Sequence, residues 1–140
     1  MLVARLKQIF MAAALSLGVL ASPVQAGTHN LSRQALSCDS TTEVKAGEAS
    51  WYGPGFHGRK TANGEKFNMY AMTAAHKTLK LGTRIKVTNE DNGEELIVRV
   101  NDRGPYVKGR ILDLSRGAAA KLGFEDQGVI HVAYRVCPEV

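Results

Sequence analysis

The sequence predicts a mainly β protein, a small closed barrel of about six short strands with one or two short helices. Three observations carry that reading. A period-two hairpin sits in the middle of the chain, a second alternating strand lies near its end, and the other apolar segments are short and punctuated by glycine. No strand–helix–strand rhythm of a parallel α/β sheet accompanies them.

In chain order, the first strand ends at Ala49-Ser50-Trp51-Tyr52, where Gly53-Pro54-Gly55 interrupts it. A short apolar segment follows at Met72-Thr73-Ala74-Ala75-His76. The hairpin is the clearest element. Arg84-Ile85-Lys86-Val87-Thr88 alternates polar and apolar residues, Asp91-Asn92-Gly93 turns, and Glu95-Leu96-Ile97-Val98-Arg99-Val100 returns. Arg110-Ile111-Leu112-Asp113-Leu114 reads as a further strand, after which Ser115 caps a helix through Ala118-Ala119-Ala120-Lys121-Leu122 that Gly123 stops. The last strand, from Gly128 to Val136, places Ile130, Val132, Tyr134 and Val136 on one face.

Ahead of the barrel, Arg5 and Lys7 precede an apolar run from Ile9 to Leu20, followed by Pro23 and the small-residue end Val24-Gln25-Ala26. That pattern is an export signal expected to be cleaved after Ala26, leaving a mature protein in the periplasm. A run of about 12 apolar residues is short of the ~20 that span a bilayer, and Cys38 lies well beyond the run, so neither a membrane anchor nor lipidation is expected. Residues 27–43 are polar and aperiodic and read as a flexible leader, and the barrel domain is expected over residues 44–137. Roughly 110 residues remain after cleavage, enough for one core and too few for two ordinary domains.

The formal charge is +5. Lys and Arg are scattered and no binding motif accompanies them, so nucleic acid is not an expected partner. A mild positive excess suits an anionic wall polymer without demanding one. Two cysteines, Cys38 and Cys137, are expected to pair in an oxidising compartment and tie the ends of the domain together, two unrelated thiols being the other reading. A monomer is expected.

The polar residues that could carry chemistry sit in glycine-rich segments. Trp51, Tyr52 and Phe56 could form an aromatic floor for a sugar ring, although a lone Trp at a strand end is as readily core. Glu65, His76, Asp102 and Asp113 stand beside turns or strand ends, and cleavage of a glycosidic bond needs a carboxylic acid to protonate the leaving oxygen together with a second group at the anomeric carbon. Asp113 interrupts an apolar strand, where burial would raise its pKa and the helix beginning at Ser115 would oppose that rise. Asp102 lies in Asn101-Asp102-Arg103-Gly104-Pro105, where an ordinary turn with an Asp102–Arg103 ion pair is the plain reading. Taken singly, each acid is more readily structural than catalytic. Four dispersed histidines and two distant cysteines have no metal-ligand spacing, so no metal and no cofactor are expected. A G-x-S-x-G elbow, a phosphate loop and a nucleophilic Cys are all missing from the sequence.

A wider likeness joins these segments. Ala49-Ser50-Trp51-Tyr52-Gly53, Gly58-Arg59-Lys60-Thr61-Ala62-Asn63-Gly64-Glu65, Met72-Thr73-Ala74-Ala75-His76-Lys77-Thr78-Leu79, Leu81-Gly82-Thr83, Asn101-Asp102-Arg103-Gly104-Pro105 and Arg110-Ile111-Leu112-Asp113-Leu114-Ser115 run in the order of the rare lipoprotein A family, which the chain resembles over about residues 47–136. The resemblance implies a double-psi β-barrel of the expansin-like kind. It implies an endolytic lytic transglycosylase acting on peptidoglycan glycan strands at the bond between N-acetylmuramic acid and N-acetylglucosamine, with 1,6-anhydro ends as product. It implies Asp113 as general acid, with Asp102 the other candidate, and Glu65 and His76 as polar groups of the same groove; Trp51, Tyr52, Phe56, Asn63 and Arg103 are the expected substrate contacts. Many members of that family carry a lipidated cysteine and a C-terminal SPOR domain, whereas this sequence runs out at Val140 just after the barrel and offers no basis for septal targeting. The competing readings are a non-catalytic expansin-like module that binds or loosens the wall, and a binder of a protein partner.

Overall fold

A computed structural model describes residues 38–39 and 43–139. The expected export signal at 1–26 lies outside the described residues, as does most of the expected leader at 27–43. The described chain forms β1 (Lys45–Tyr52), a 3-10 turn (Pro54–Phe56), β2 (Thr73–Ala75), β3 (Arg84–Asn89), β4 (Glu95–Asp102), β5 (Arg110–Ser115), the helix α1 (Arg116–Lys121) and β6 (Val129–Val136). The strands close on themselves in the order β1-β5-β2-β4-β3-β6. The β1–β5 and β2–β4 pairs are parallel and the other four are antiparallel. The mainly β barrel with one helix is thus present.

Alternation fills the interior. Ile85, Val87, Val98, Val100, Leu112 and Leu114 are all within 1% of complete burial. Each such side chain removed from water stabilises the fold by about 1.5–3 kcal/mol. Leu122 and Phe124, carried in behind α1, join the same core. The helix begins where Ser115 Oγ accepts from the Ala118 N–H and ends before Gly123, whose φ of 74° is the left-handed conformation that a glycine adopts without a steric penalty. Leu122 serves as the C-cap rather than a helical residue, so the helix is one residue shorter than the sequence predicts.

Two register skips decide what faces outward. Along β2 and β4, Ala74 pairs with Val100 and Ala75 with Asp102, so Asn101 is an extra residue. Strict alternation would send Asp102 inward beside Val98 and Val100. The bulge reverses it to the outer face. Along β1 and β5, Glu48 pairs with Arg110 and Ala49 with Leu112, which makes Ile111 the extra residue and puts Arg110 on the same face as Asp113.

The 20-residue connection 53–72 is a built element rather than a loose glycine-rich loop. Gly58 donates to the Phe67 carbonyl at 2.8 Å, Phe67 to Arg59 at 2.7 Å, and Thr61 to Glu65 at 2.8 Å, forming a hairpin-like finger. Phe67 is buried and stacks on Tyr52 with ring centroids 4.5 Å apart, which docks the finger on the barrel. Cys38 is buried and disulfide-bonded to Cys137, and Asp39 forms an ion pair with Lys86. Two residues of the segment expected to be a leader are therefore attached to the barrel.

Candidate active site

Asp113 on β5 and Asp102 on β4 are both registered against Ala75 on the strand between them. Neighbouring strands lie about 4.7–4.9 Å apart, so the two backbones are separated by roughly 10 Å with a single methyl group in the row between. Tyr52, Phe56, Ala75, Asp102, Arg103 and Asp113 line one open cleft of about 140 Å³. A larger cleft, about 380 Å³, between Gly82–Arg84 and Val136–Glu139 holds none of the expected catalytic or substrate-binding residues, and the one carboxylate lining it, Glu139, is salt-bridged to Lys80.

The two acids are held differently. Asp113 is half-buried on the outside of a strand whose alternate residues Leu112 and Leu114 fill the core, so it does not break the apolar pattern as the linear sequence suggests. Burial pushes its pKa up, and the Arg110 guanidinium, with Nη2 3.1 Å from Oδ1, opposes the rise without cancelling it. The Arg110–Asp113 pairing is not legible in the linear sequence because i and i+3 on a regular strand point to opposite faces, and only the Ile111 bulge brings them together. Asp102 Oδ1 accepts from the Ala62 N–H at 3.0 Å and the Arg103 N–H at 2.9 Å, clamping the 61–65 tip of the finger to the cleft. The expected Asp102–Arg103 ion pair is replaced by another arrangement: the Arg103 guanidinium donates to the carbonyls of His76 at 3.2 Å and Leu79 at 2.8 Å.

His76 stands behind this arrangement. Its Nδ1 accepts from the Thr78 and Leu79 N–H groups at 3.0 and 2.9 Å, which leaves the proton on Nε2, 2.9 Å from the Tyr134 hydroxyl. The ring is buried, and burial followed by the charges of Arg103 and Lys77 lowers its pKa. A neutral imidazole thus braces the 76–79 loop that holds Arg103. Tyr134, buried on β6, is the partner that a core reading of the last strand did not anticipate.

Glu65 is 2.9 Å from Arg99 Nη2 and 2.6 Å from Asn101 Nδ2. The Asn101 hydrogen bond, with Arg99 assisting, lowers its pKa, so it stands as a paired anion rather than a proton donor. Asn63 accepts through Oδ1 from the Thr61 hydroxyl and the Glu65 N–H, shaping the finger tip. Trp51 points to the core side, packs against the cluster around Leu114, and donates through Nε1 to the Glu125 carbonyl at 3.1 Å. Of the expected aromatic floor, Tyr52 and Phe56 line the cleft, in edge contact at 5.7 Å. Burial raises the Tyr52 pKa, and the charges of Asp102 and Asp113, which line the same cleft, add to the rise.

The family model described as lytic transglycolase matches residues 44–134. The chain belongs to this family. The "Probable endolytic peptidoglycan transglycosylase RlpA" of Synechocystis is 62% identical over 90 residues, covering 64% of this chain and 28% of the relative. The "Endolytic peptidoglycan transglycosylase RlpA" of Neisseria meningitidis serogroup A is 58% identical over 89 residues, with 64% and 37% covered. This chain therefore spans well under half the length of these relatives. Among solved structures, apo Clavibacter michiganensis expansin aligns with a TM-score of 0.56 at 25% identity over 70% of this chain and 52% of that one. The double-psi barrel implied by the resemblance is the fold of this family member, and the parallel β1–β5 and β2–β4 pairs are its frame.

The raised pKa of Asp113 has a consequence for stability that can be measured apart from any activity. A carboxyl whose folded pKa lies above its unfolded value stabilises the fold at low pH and loses that contribution as pH rises through the folded pKa. Asp113→Asn removes the titration while leaving an oxygen for Arg110. In urea unfolding from about pH 3 to pH 7, the stability of the Asn variant relative to wild type is expected to rise with pH. A flat difference, or one that falls with pH, would contradict burial as the dominant influence on Asp113.

Proposed function

We propose that this chain is an endolytic lytic transglycosylase that cleaves peptidoglycan between N-acetylmuramic acid and N-acetylglucosamine. The observation that carries the reading is the row Asp113, Ala75, Asp102 at the floor of one open cleft, with the pKa of Asp113 raised by burial. An open cleft admits a strand from the side, as internal cleavage requires.

Asp113, protonated, gives its proton to the bridging oxygen as the bond to the anomeric carbon breaks. Asp102, oriented by the Ala62 and Arg103 N–H groups, faces the positive charge that grows on the ring. The C6 hydroxyl of the same sugar then attacks the anomeric carbon, its proton returns to Asp113, and the 1,6-anhydro ring closes with no water consumed. Arg103 and the Tyr52–Phe56 pair position the sugar, while Glu65, Asn63 and His76 hold the finger and the 76–79 loop in place. Trp51 acts from the core.

The same reading includes export to the periplasm with cleavage after Ala26, residues 27–43 preceding a barrel at 44–137, and a monomer without a membrane anchor. Mass spectrometry checks both halves. Intact mature protein should begin at Gly27 without a lipid adduct, and digested sacculi should yield anhydromuropeptides. Reducing-end products lacking the 1,6-anhydro ring would refute the lyase assignment. Retention on sacculi with no product would select the expansin-like, non-catalytic alternative.

A further inference from the structure

We propose that Tyr106 is a stacking platform for a sugar ring lying beyond the aspartate cleft on the same glycan strand. The proposal rests on the glycan reading above and names how the strand is held outside the cleft. At about 140 Å³ the cleft is far smaller than the roughly 300–1,000 Å³ of pockets that enclose a small-molecule ligand. It admits part of one sugar. The rest of a polymer must lie against the surface on either side, and the affinity for it must come from there.

One rim already has an aromatic wall. Phe56 is half-exposed, set edge-on to Tyr52 and covered by the Arg59 guanidinium at 5.4 Å. Arg103, which also lines the cleft, leads directly into the connection 103–109. Tyr106 on that segment is 81% exposed, more than any other large apolar side chain among the described residues, and Val107 beside it is 50% exposed. A Cβ placed on Gly104 would lie 3.8 Å from the Tyr106 ring, so the ring leans over the backbone that directly follows the cleft residue Arg103.

A tyrosine ring buries about 150–250 Å² when covered, and leaving that area in water is unfavourable unless a ligand covers it. The ligand that fits is a pyranose. Its axial C–H groups make an apolar face matching the ring, and its hydroxyls lie around the edge, where the phenol oxygen and water can meet them. Tyr52 and Phe56 in the cleft and Tyr106 on the segment that leaves it would then hold successive parts of one strand.

The test uses isolated glycan strands fractionated by length, with wild type, Tyr106→Ala and Tyr106→Phe. Tyr106→Ala should raise KM on long strands about tenfold with kcat within about threefold, narrowing the preference for long over short strands, and Tyr106→Phe should retain the wild-type values. An unchanged KM in Tyr106→Ala, a fall in kcat at constant KM, or a failure of Phe to substitute overturns the platform. Should wild type release no product, the lyase reading fails by itself, and retention on sacculi still reads the platform. Weaker retention of Tyr106→Ala supports it, and equal retention overturns it.

Discussion

Asp113→Asn is expected to lower the release of anhydro-ended fragments by about 10²–10⁴-fold, the usual contribution of a general acid, and Asp102→Asn to cause a loss of the same order. Amide replacement preserves shape at both positions. At 113 the amide oxygen can still accept from Arg110, and at 102 it can still accept the two backbone N–H groups that clamp the finger. Rate should therefore fall without loss of fold or of glycan retention. Anhydromuropeptide release, a sacculus pull-down and a thermal melt on the same preparations separate these quantities. Full activity in both variants would remove the aspartates from the chemistry. Loss in one alone would assign the proton to that residue.

Removing the disulfide should have the largest effect on stability. Cys38 and Cys137 are 99 positions apart, and closing a loop of that length restricts the unfolded chain enough to stabilise the fold by about 4.7 kcal/mol in the chain-entropy account. A second contribution comes from the neighbouring residue. Lys86 has only 9% of its side chain exposed and is paired with both Asp39 and Glu95. Asp39 is held there by the adjacent Cys38, so release of the segment withdraws one of two counter-charges from a buried ammonium group. The double variant Cys38→Ala/Cys137→Ala should lose about 3–5 kcal/mol, roughly 15 °C or more in Tm for a domain of this size. A loss below about 1 kcal/mol would show that neither the closed loop nor the Asp39 pairing matters to the folded state. Adding Asp39→Asn should cost less in the double variant than in wild type.

Local chemistry made some elements legible in advance. The β3–β4 hairpin shows period-two alternation and a glycine at the turn, Gly93, with φ of 77°. Ser115 caps its helix as its position predicts, and Ile130, Val132 and Tyr134 face inward along β6. The placement of Trp51 follows from the same rule, since it shares parity with buried Ala49 while Tyr52 shares parity with Ser50 on the outer face. What alternation cannot supply is where it fails. The bulges at Asn101 and Ile111 each shift parity by one residue, and those two shifts carry Asp102 outward and align Arg110 with Asp113. The roles of His76 and Glu65 were hidden for a different reason. Their partners Tyr134, Arg99 and Asn101 lie far away in the chain, and only the closed strand order brings them together.

The ring of strands has a further effect on how such a domain can recognise anything. An open sheet presents two rows of unpaired amides and carbonyls, which invite added strands and edge-to-edge aggregation. Here every described strand is bonded on both sides. An arriving extended polypeptide finds no ladder to join, and contact falls to outward side chains of the strands, such as Tyr52, Asp102 and Asp113, and of the connections between them. Those connections are themselves bonded to the ring, the Arg99 N–H donating to the Met72 carbonyl and the Glu48 N–H to that of Gly109, so a change in their length or course is felt by the strands that carry them.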